Sequence, residues 1–298
     1  MRIRVSLPTQ TLELRRDEGH LLRRYVVSTA ANGAGELSGS FCTPRGRHRI
    51  RAKIGAGHAP NTVFVRRRPT GEIWSQALGN ASPDRDWILT RILWLSGCEP
   101  GYNRLGKVDT MRRYIYIHGS PDNVPFGVPG SHGCVRMRNA DIVELFDLVT
   151  ADTDVEIVDY SVIAGSWEML GDRAATVRKC VFIDEQHVPE NLEWDCHDAA
   201  SFHVVVEAPD GSPIATGRLL PDGHLGRFAV LAPWRGRGIG RAVMDSLLDE
   251  AESRKIACLM LHAQIQAEGF YRSFGFCADG DVFLEAGIPH RLMTKRLG

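Results

Sequence analysis

The sequence predicts two domains of different class, a mainly β domain followed by an α/β domain, and three observations predict it. The chain has 298 residues, room for two domains at the usual span of about 100–200 residues each. Up to about residue 158, short apolar–polar alternations broken by Gly and Pro dominate, the pattern of half-buried strands. From Tyr160 onward, strand-like runs alternate with helix-like ones, as in a layered α/β domain. The expected boundaries are 1–159 and 160–298, with no Gly/Ser or Pro tract between them to act as a flexible linker.

Composition narrows the partners. Lys plus Arg and Asp plus Glu number 36 each, so no global basic bias points to nucleic acid or to a membrane surface. No apolar run reaches the roughly 20 residues of a bilayer span. Neither nucleic acid nor membrane is an expected partner. Seven cysteines, an odd number without paired spacing, fit a reducing compartment. The opening Met1-Arg2-Ile3-Arg4-Val5 reads as a strand rather than as the basic, apolar, small-residue order of a secretory signal. The expected location is cytoplasmic.

In the first half, Ile3, Val5 and Leu7, then Leu12 and Leu14, then Tyr25-Val26-Val27 read as strands separated by Pro8 and Gly19, with turns at Asn32-Gly33 and Gly35. Cys42 reads as a packed small apolar residue. Arg51, Lys53 and Arg66-Arg67-Arg68 form either a solvated face or an entrance for carboxylate-bearing peptides. Arg91, Arg112 and Arg113 are further candidate carboxylate contacts. Trp87-Ile88-Leu89, Ile92-Leu93-Trp94-Leu95 and Tyr114-Ile115-Tyr116-Ile117 are strand-like, and residues 153–158 read as the last strand. Asn139, with Asp141, Ile142, Leu145, Phe146 and Val149 behind it, reads as a capped helix.

Between the last of those strand-like runs and that helix lies His118 to Arg136, HGSPDNVPFGVPGSHGCVR. Its glycines and prolines forbid a long regular element, and a loop held by rigid elements suits catalytic groups. A thiol is a weak nucleophile until its proton is removed. His118, at the end of a strand, and His132, two residues before Cys134, are the candidate bases. Gly133 leaves the backbone open beside the sulfur, where amide N–H groups can receive an oxyanion. A structural cysteine and a zinc site are the alternatives, although one Cys with two His lacks the paired spacing of structural zinc, and no metal is expected.

His118-Gly119 followed by Ser131-His132-Gly133-Cys134-Val135-Arg136 resembles the catalytic signature of the L,D-transpeptidase (YkuD-type) family. The resemblance covers about residues 1–158 and implies a mainly-β YkuD-like fold. It implies Cys134 as nucleophile and His118 as general base, with a main-chain carbonyl orienting the ring. It implies a pocket shaped by His132 and Ser131, and an oxyanion hole of amides near Gly133 and Cys134. Arg136 completes the signature, and Ser120 stands where Thr is expected.

In the second half, residues 172–182 have helical spacing. Strands are expected at 202–207, 214–219 and 226–231, with a turn at Pro209-Asp210-Gly211. Trp234-Arg235-Gly236-Arg237-Gly238-Ile239-Gly240-Arg241 then leads into a helix marked by Val243, Leu247 and Ala251. A strand, a glycine-rich loop and a helix start make an anion site, because free N–H groups and the helix dipole favour phosphate.

Arg235-x-x-Gly238-x-Gly240, with Phe270-Tyr271 and Gly275-Phe276, resembles the GNAT acetyltransferases. Residues 181–189 with Glu193-Trp194-Asp195 narrow the match to an ElaA-like subgroup. The resemblance implies an α/β GNAT fold and acetyl-CoA as cofactor. It implies that Arg235, Gly236, Arg237, Gly238, Ile239, Gly240 and Arg241 hold the pyrophosphate through main-chain N–H groups. It further implies that the strand through Phe228, Ala229 and Val230 pairs with pantetheine, and that Tyr271 protonates the leaving thiolate. Glu185, Glu193, Asp195 and His262 are candidate bases for a small amine acceptor.

The combined expectation is a bifunctional enzyme. Cys134 removes the terminal D-alanine from peptidoglycan tetrapeptide stems, and the second domain acetylates a primary amine such as a D-amino acid or the peptide product. The alternatives are L,D-transpeptidation or D-amino acid exchange, with the second domain as an acetyl-CoA-binding regulator.

Overall fold

A computed structural model of the chain describes residues 1–297. Two compact units are present: Met1–Arg16 with Leu21–Asp159, and Asp17–His20 with the chain from Tyr160 onward.

The first unit is a ten-stranded sheet. Its strands are β1 (Arg2–Ser6), β2 (Thr11–Arg15), β3 (Leu21–Val26), β4 (Gly46–Ile54), β5 (Thr62–Val65), β6 (Arg68–Ile73), β7 (Ile88–Gly97), β8 (Tyr116–Gly119), β9 (Val135–Met137) and β10 (Asp154–Val158). The main order is β3-β2-β1-β10-β4-β7-β5-β6, with β8 on β7 and β9 on β8. β1 runs parallel to β10, which fixes the start of the unit against its last strand. Alternate apolar residues make this possible. Ile3, Val5, Leu12, Leu14, Leu93, Leu95, Ile117, Val135 and Met137 turn to one core, closed by Ile142, Leu145 and Phe146 of a helix. Each such buried side chain contributes about 1.5–3 kcal/mol.

That helix is α2 (Asn139–Leu148), and a short helix, α1 (Gln76–Ala81), precedes β7. Three expectations change. Residues 88–95 lie on a single strand bent at Thr90, where φ is +68° and the register shifts. The alternation is interrupted there, so one strand read as two runs. α1 was not expected; none of its residues is buried, so it carries no apolar stripe. Asn139 does not cap α2: Arg138 is the N-cap residue, and the Asn139 side chain donates to the Ser120 carbonyl and is hydrogen-bonded to the Thr90 hydroxyl.

The second unit has two sheets. The antiparallel four-stranded sheet runs β11 (Ser161–Gly165), β12 (Phe202–Glu207), β13 (Pro213–Leu219), β14 (Leu225–Val230), and the other is β15 (Cys258–Gln264), β17 (Ile288–Arg296), β16 (Cys277–Glu285). Helix α3 (Trp167–Arg178) begins earlier than the expected residue 172 and continues as a π-helix over Lys179–Glu185. Short α4 (Glu190–Glu193), long α5 (Ile239–Ser253) and short α6 (Glu268–Arg272) follow. α5 buries Val243, Leu247 and Ala251 as its spacing requires.

Candidate active sites

In the first unit, β8 and β9 run parallel with Ile117 opposite Val135 and His118 opposite Arg136. Ile117, Val135 and Met137 face the core, so Tyr116, His118 and Arg136 face the other way. Cys134, the residue before β9, joins that face: its Sγ accepts from the Tyr116 N–H at 3.4 Å and lies 3.6 Å from the Tyr114 carbonyl. The long loop therefore returns the thiol to the strand that carries His118.

His118 is fully buried. Its Nδ1 lies 2.8 Å from the Gly119 carbonyl. A carbonyl only accepts, so Nδ1 carries the hydrogen and Nε2 presents a lone pair. Nε2 is buried without a hydrogen-bond partner among the described residues, an uncommon condition that marks a group awaiting one. Burial lowers the His118 pKa, and the charge of Asp86 opposes this without overcoming it. Burial pushes the Cys134 thiol up to about 12, against the Tyr116 N–H. At neutral pH the pair is thiol and neutral imidazole, not thiolate and imidazolium.

Small residues and backbone bonds hold this geometry. A side chain at Gly119 would lie 2.6 Å from Asn139 Oδ1 and 2.7 Å from the Leu89 carbonyl. Ser131 Oγ donates to the Cys134 carbonyl at 2.6 Å and accepts from the Gly133 N–H at 3.1 Å. Of the amides expected to form an oxyanion hole, that of Gly133 is thus already bonded. Gly133 itself sits at φ +126°. Arg136 donates to the Gly130 carbonyl and to Asp86 Oδ1 at 2.6 Å. His132 is exposed at the mouth, its Nδ1 3.7 Å from Asp86 Oδ2. Asp86, which the sequence did not single out, thus meets both His132 and Arg136. It lines a cavity of about 620 Å³ with Trp74, Ser120, His132 and Arg136. Of the candidate carboxylate contacts, Arg113 is occupied by the carbonyls of Gly35, Glu36 and Cys42, and Arg91 by those of His58 and Thr90. Arg112 is exposed.

In the second unit, His224, the residue before β14, makes an isolated bridge to Met260 of β15. Past it β14 and β15 share no ladder, so Phe228, Ala229 and Val230 lie on an edge strand with a left-handed Arg227. Gly236 and Gly238 take φ +75° and +77°, and a side chain at Gly236 would meet nothing within 4 Å. The loop is open, and the first N–H groups of α5 have no intrahelical partners. The side chains of Arg235 and Arg237 are engaged elsewhere, with Glu185 and over Trp234. A Cβ at Gly240 would lie 3.6 Å from the Phe228 and Phe270 rings, so the first turn of α5 sits beside the aromatic cluster holding Tyr271. Burial raises the Tyr271 pKa, so its phenol keeps its proton.

The four candidate bases separate. Glu185 is bonded by both oxygens to Arg235, and that bond lowers its pKa. Asp195 is also held low, since burial is outweighed by Arg218 and Arg227. Glu193 pairs with the buried Arg178. His262, on β15, is half exposed and bonded to Glu285 through Nδ1 at 2.9 Å, between the rings of His224 and Phe283. The sequence could rank none of them, because pairing across the fold decides the matter.

A model of the L,D-transpeptidase catalytic domain (YkuD) matches residues 1–157. The chain belongs to the YkuD family. A model of the acetyltransferase (GNAT) domain matches residues 171–297. Over 140 residues the chain is 39% identical to the uncharacterized N-acetyltransferase YjcF of Bacillus subtilis, covering 45% of this chain and 98% of that protein. YyaT of the same organism is 37% identical over 130 residues, with 42% and 87% covered. The solved L,D-transpeptidase of Xylanimonas cellulosilytica is 20% identical, with 52% of this chain and 59% of that chain covered at a TM-score of 0.33. The YkuD chain thus joins two enzyme families, the second of which implies an acyl-CoA cofactor.

Proposed function

We propose that the YkuD unit cleaves peptidoglycan tetrapeptide stems by thioester chemistry at Cys134. The observation that carries this reading is the buried, partnerless Nε2 of His118, held by the Gly119 carbonyl, on the face that carries the thiol. Sγ attacks the carbonyl before the terminal D-alanine while Nε2 takes the thiol proton. The C–N bond then breaks, that proton goes to the departing amine, and the acyl group stays on sulfur. Water attacking the thioester, with its proton passed to Nε2, releases the tripeptide. An amino acid in place of water gives exchange instead. Hydrolysis is the favoured outcome in a cytoplasmic enzyme of murein recycling, a location supported by seven free cysteines. The test is a tetrapeptide stem incubated with and without a second D-amino acid. Loss of alanine alone supports hydrolysis, and exchange in mass makes the enzyme a transpeptidase.

The GNAT unit, in this reading, acetylates a primary amine. Its open glycine loop fits the pyrophosphate of acetyl-CoA, held by N–H groups between Arg235 and Arg241. The bound cofactor supplies an activated acetyl thioester. The edge of β14 offers backbone groups to the pantetheine arm, Tyr271 holds a proton for the leaving sulfur, and His262 with Glu285 accepts one from the amine. A D-amino acid or the trimmed peptide is the proposed acceptor. Thiol release from acetyl-CoA with either amine, lost in Tyr271→Phe, supports it. Binding without turnover favours a regulatory module.

A further inference from the structure

One residue of the basic cluster at 51–72 reaches the nucleophile's surroundings. In the β5–β6 hairpin Val65 pairs with Arg68, so Arg66 and Arg67 form a two-residue turn. Their φ angles are +49° and +68°. Such a turn favours Asn-Gly, because each residue with a Cβ costs roughly 1–2 kcal/mol in the left-handed region. Two arginines occupy it instead, which implies compensation nearby.

The compensation is an aromatic cage. The Arg67 guanidinium lies 4.5 Å from the Trp94 ring and 4.8 Å from the Tyr114 ring, and it donates to Tyr116 Oη at 3.0 Å. Tyr114 is itself left-handed, at φ +59°. The same two tyrosines hold the nucleophile, Tyr116 through its N–H and Tyr114 through its carbonyl. Trp94 and Cys134 pack against one apolar cluster with Tyr116. No carboxylate or backbone carbonyl meets Arg67 among the described residues. Its neighbours in the basic set differ. Lys53 is bonded to the Phe146 and Val149 carbonyls, and Arg51, Arg66 and Arg68 are exposed. A weakly hydrated, planar cation braced by rings, with no anion of its own, is suited to receive a carboxylate.

We infer that Arg67 binds a free carboxylate of the acyl donor whose carbonyl Cys134 attacks. This deepens the stem-peptide reading and rests on it for the identity of the donor. Two carboxylates share that chemistry, the C-terminus of the departing D-alanine and an acidic side chain on the third residue. Both lie within one or two residues of the carbonyl, at about 3.8 Å per residue.

The test starts without a peptide. Cys134 is labelled with β-maleimidopropionate, which carries a carboxylate, and with neutral N-ethylmaleimide, and the modified Cys134 peptide is quantified by mass. The rate ratio, acid over neutral, falls about three- to tenfold in Arg67→Met. It is largely kept in Arg67→Lys and unchanged in Arg66→Asn. An equal ratio in wild type and Arg67→Met overturns the inference. On wild type alone, salt near 1 M slows the acidic reagent selectively, and a ratio indifferent to salt also overturns it. Tetrapeptides amidated at either carboxylate then identify the source, because the relevant amidation abolishes the effect of Arg67→Met on kcat/KM. If no peptide turns over while labelling still follows the charge, the donor reading fails and the site stands. If peptides turn over and labelling ignores the charge, the site fails and the donor reading stands.

Discussion

In the YkuD unit, His118 is buried and Cys134 partly so, neither has a direct salt-bridge partner among the described residues, and desolvation holds both neutral. In the GNAT unit, Arg178, Arg218 and Arg227 are buried or nearly so, and each is met by Glu193, Asp195 or Asp198 at 2.6–3.4 Å. Burial thus does different work in the two units. Where charge is permanent, the fold surrounds it with opposite charge, and the result is a rigid scaffold. Where protons must move, the fold withholds charge, so that ionisation of the thiol waits for a substrate carbonyl to share it.

The contrast is sharpest at His118. His118→Gln removes the base and lowers kcat about 10²–10⁴-fold, while the melting temperature of the unit falls little, because no ion pair is broken. Arg178→Met does the reverse. It leaves Glu193 and Asp198 with a charge lost between them, costing about 3–5 kcal/mol. A chemical melt of the GNAT unit shows this, with stem-peptide cleavage per folded molecule unchanged.

Next in size is Gly119→Ala. A methyl group 2.7 Å from a backbone carbonyl forces β8 or β7 to move, at about 1–3 kcal/mol. Cleavage falls with stability, because Gly119 also orients the His118 ring.

The pH response carries the neutral-pair argument directly. The folded thiol keeps its proton up to about pH 12, whereas the unfolded thiol loses it near 9. The unfolded state therefore binds fewer protons between those values, and stability falls as pH rises through that window. Cys134→Ala flattens this fall. Alkylation of resting Cys134 climbs throughout the alkaline range, and a plateau near neutral pH would show a thiolate–imidazolium pair instead. The smallest effect is Glu185→Gln, which breaks a largely exposed ion pair and shifts stability by about 0–1 kcal/mol.

The legible part of this molecule was local. The spacing from His118 to Cys134, the helix after Asn139 and the open loop at Gly236 to Gly240 follow from short-range periodicity and from glycine. What the sequence hid was long-range pairing. Asp86 lies far along the chain from both His132 and Arg136, and only the β-sheet brings them together. Glu185 and Asp195 look like bases until Arg235, Arg218 and Arg227 are seen bonded to them. Asn139 has the residue type of a cap, yet its side chain serves Ser120 and Thr90. Arg67 was one of a run of three arginines, and its cage is assembled from Trp94 and Tyr116 on other strands and from Tyr114 in the turn before β8.

The most direct test of the central claim is to weigh the products of a tetrapeptide stem incubated with the whole chain and with its Cys134→Ala variant. The account predicts loss of one alanine with the wild-type chain, a transient acyl adduct on the Cys134 peptide, and neither with the variant. Unchanged peptide with the wild-type chain, or equal cleavage by the variant, would contradict it.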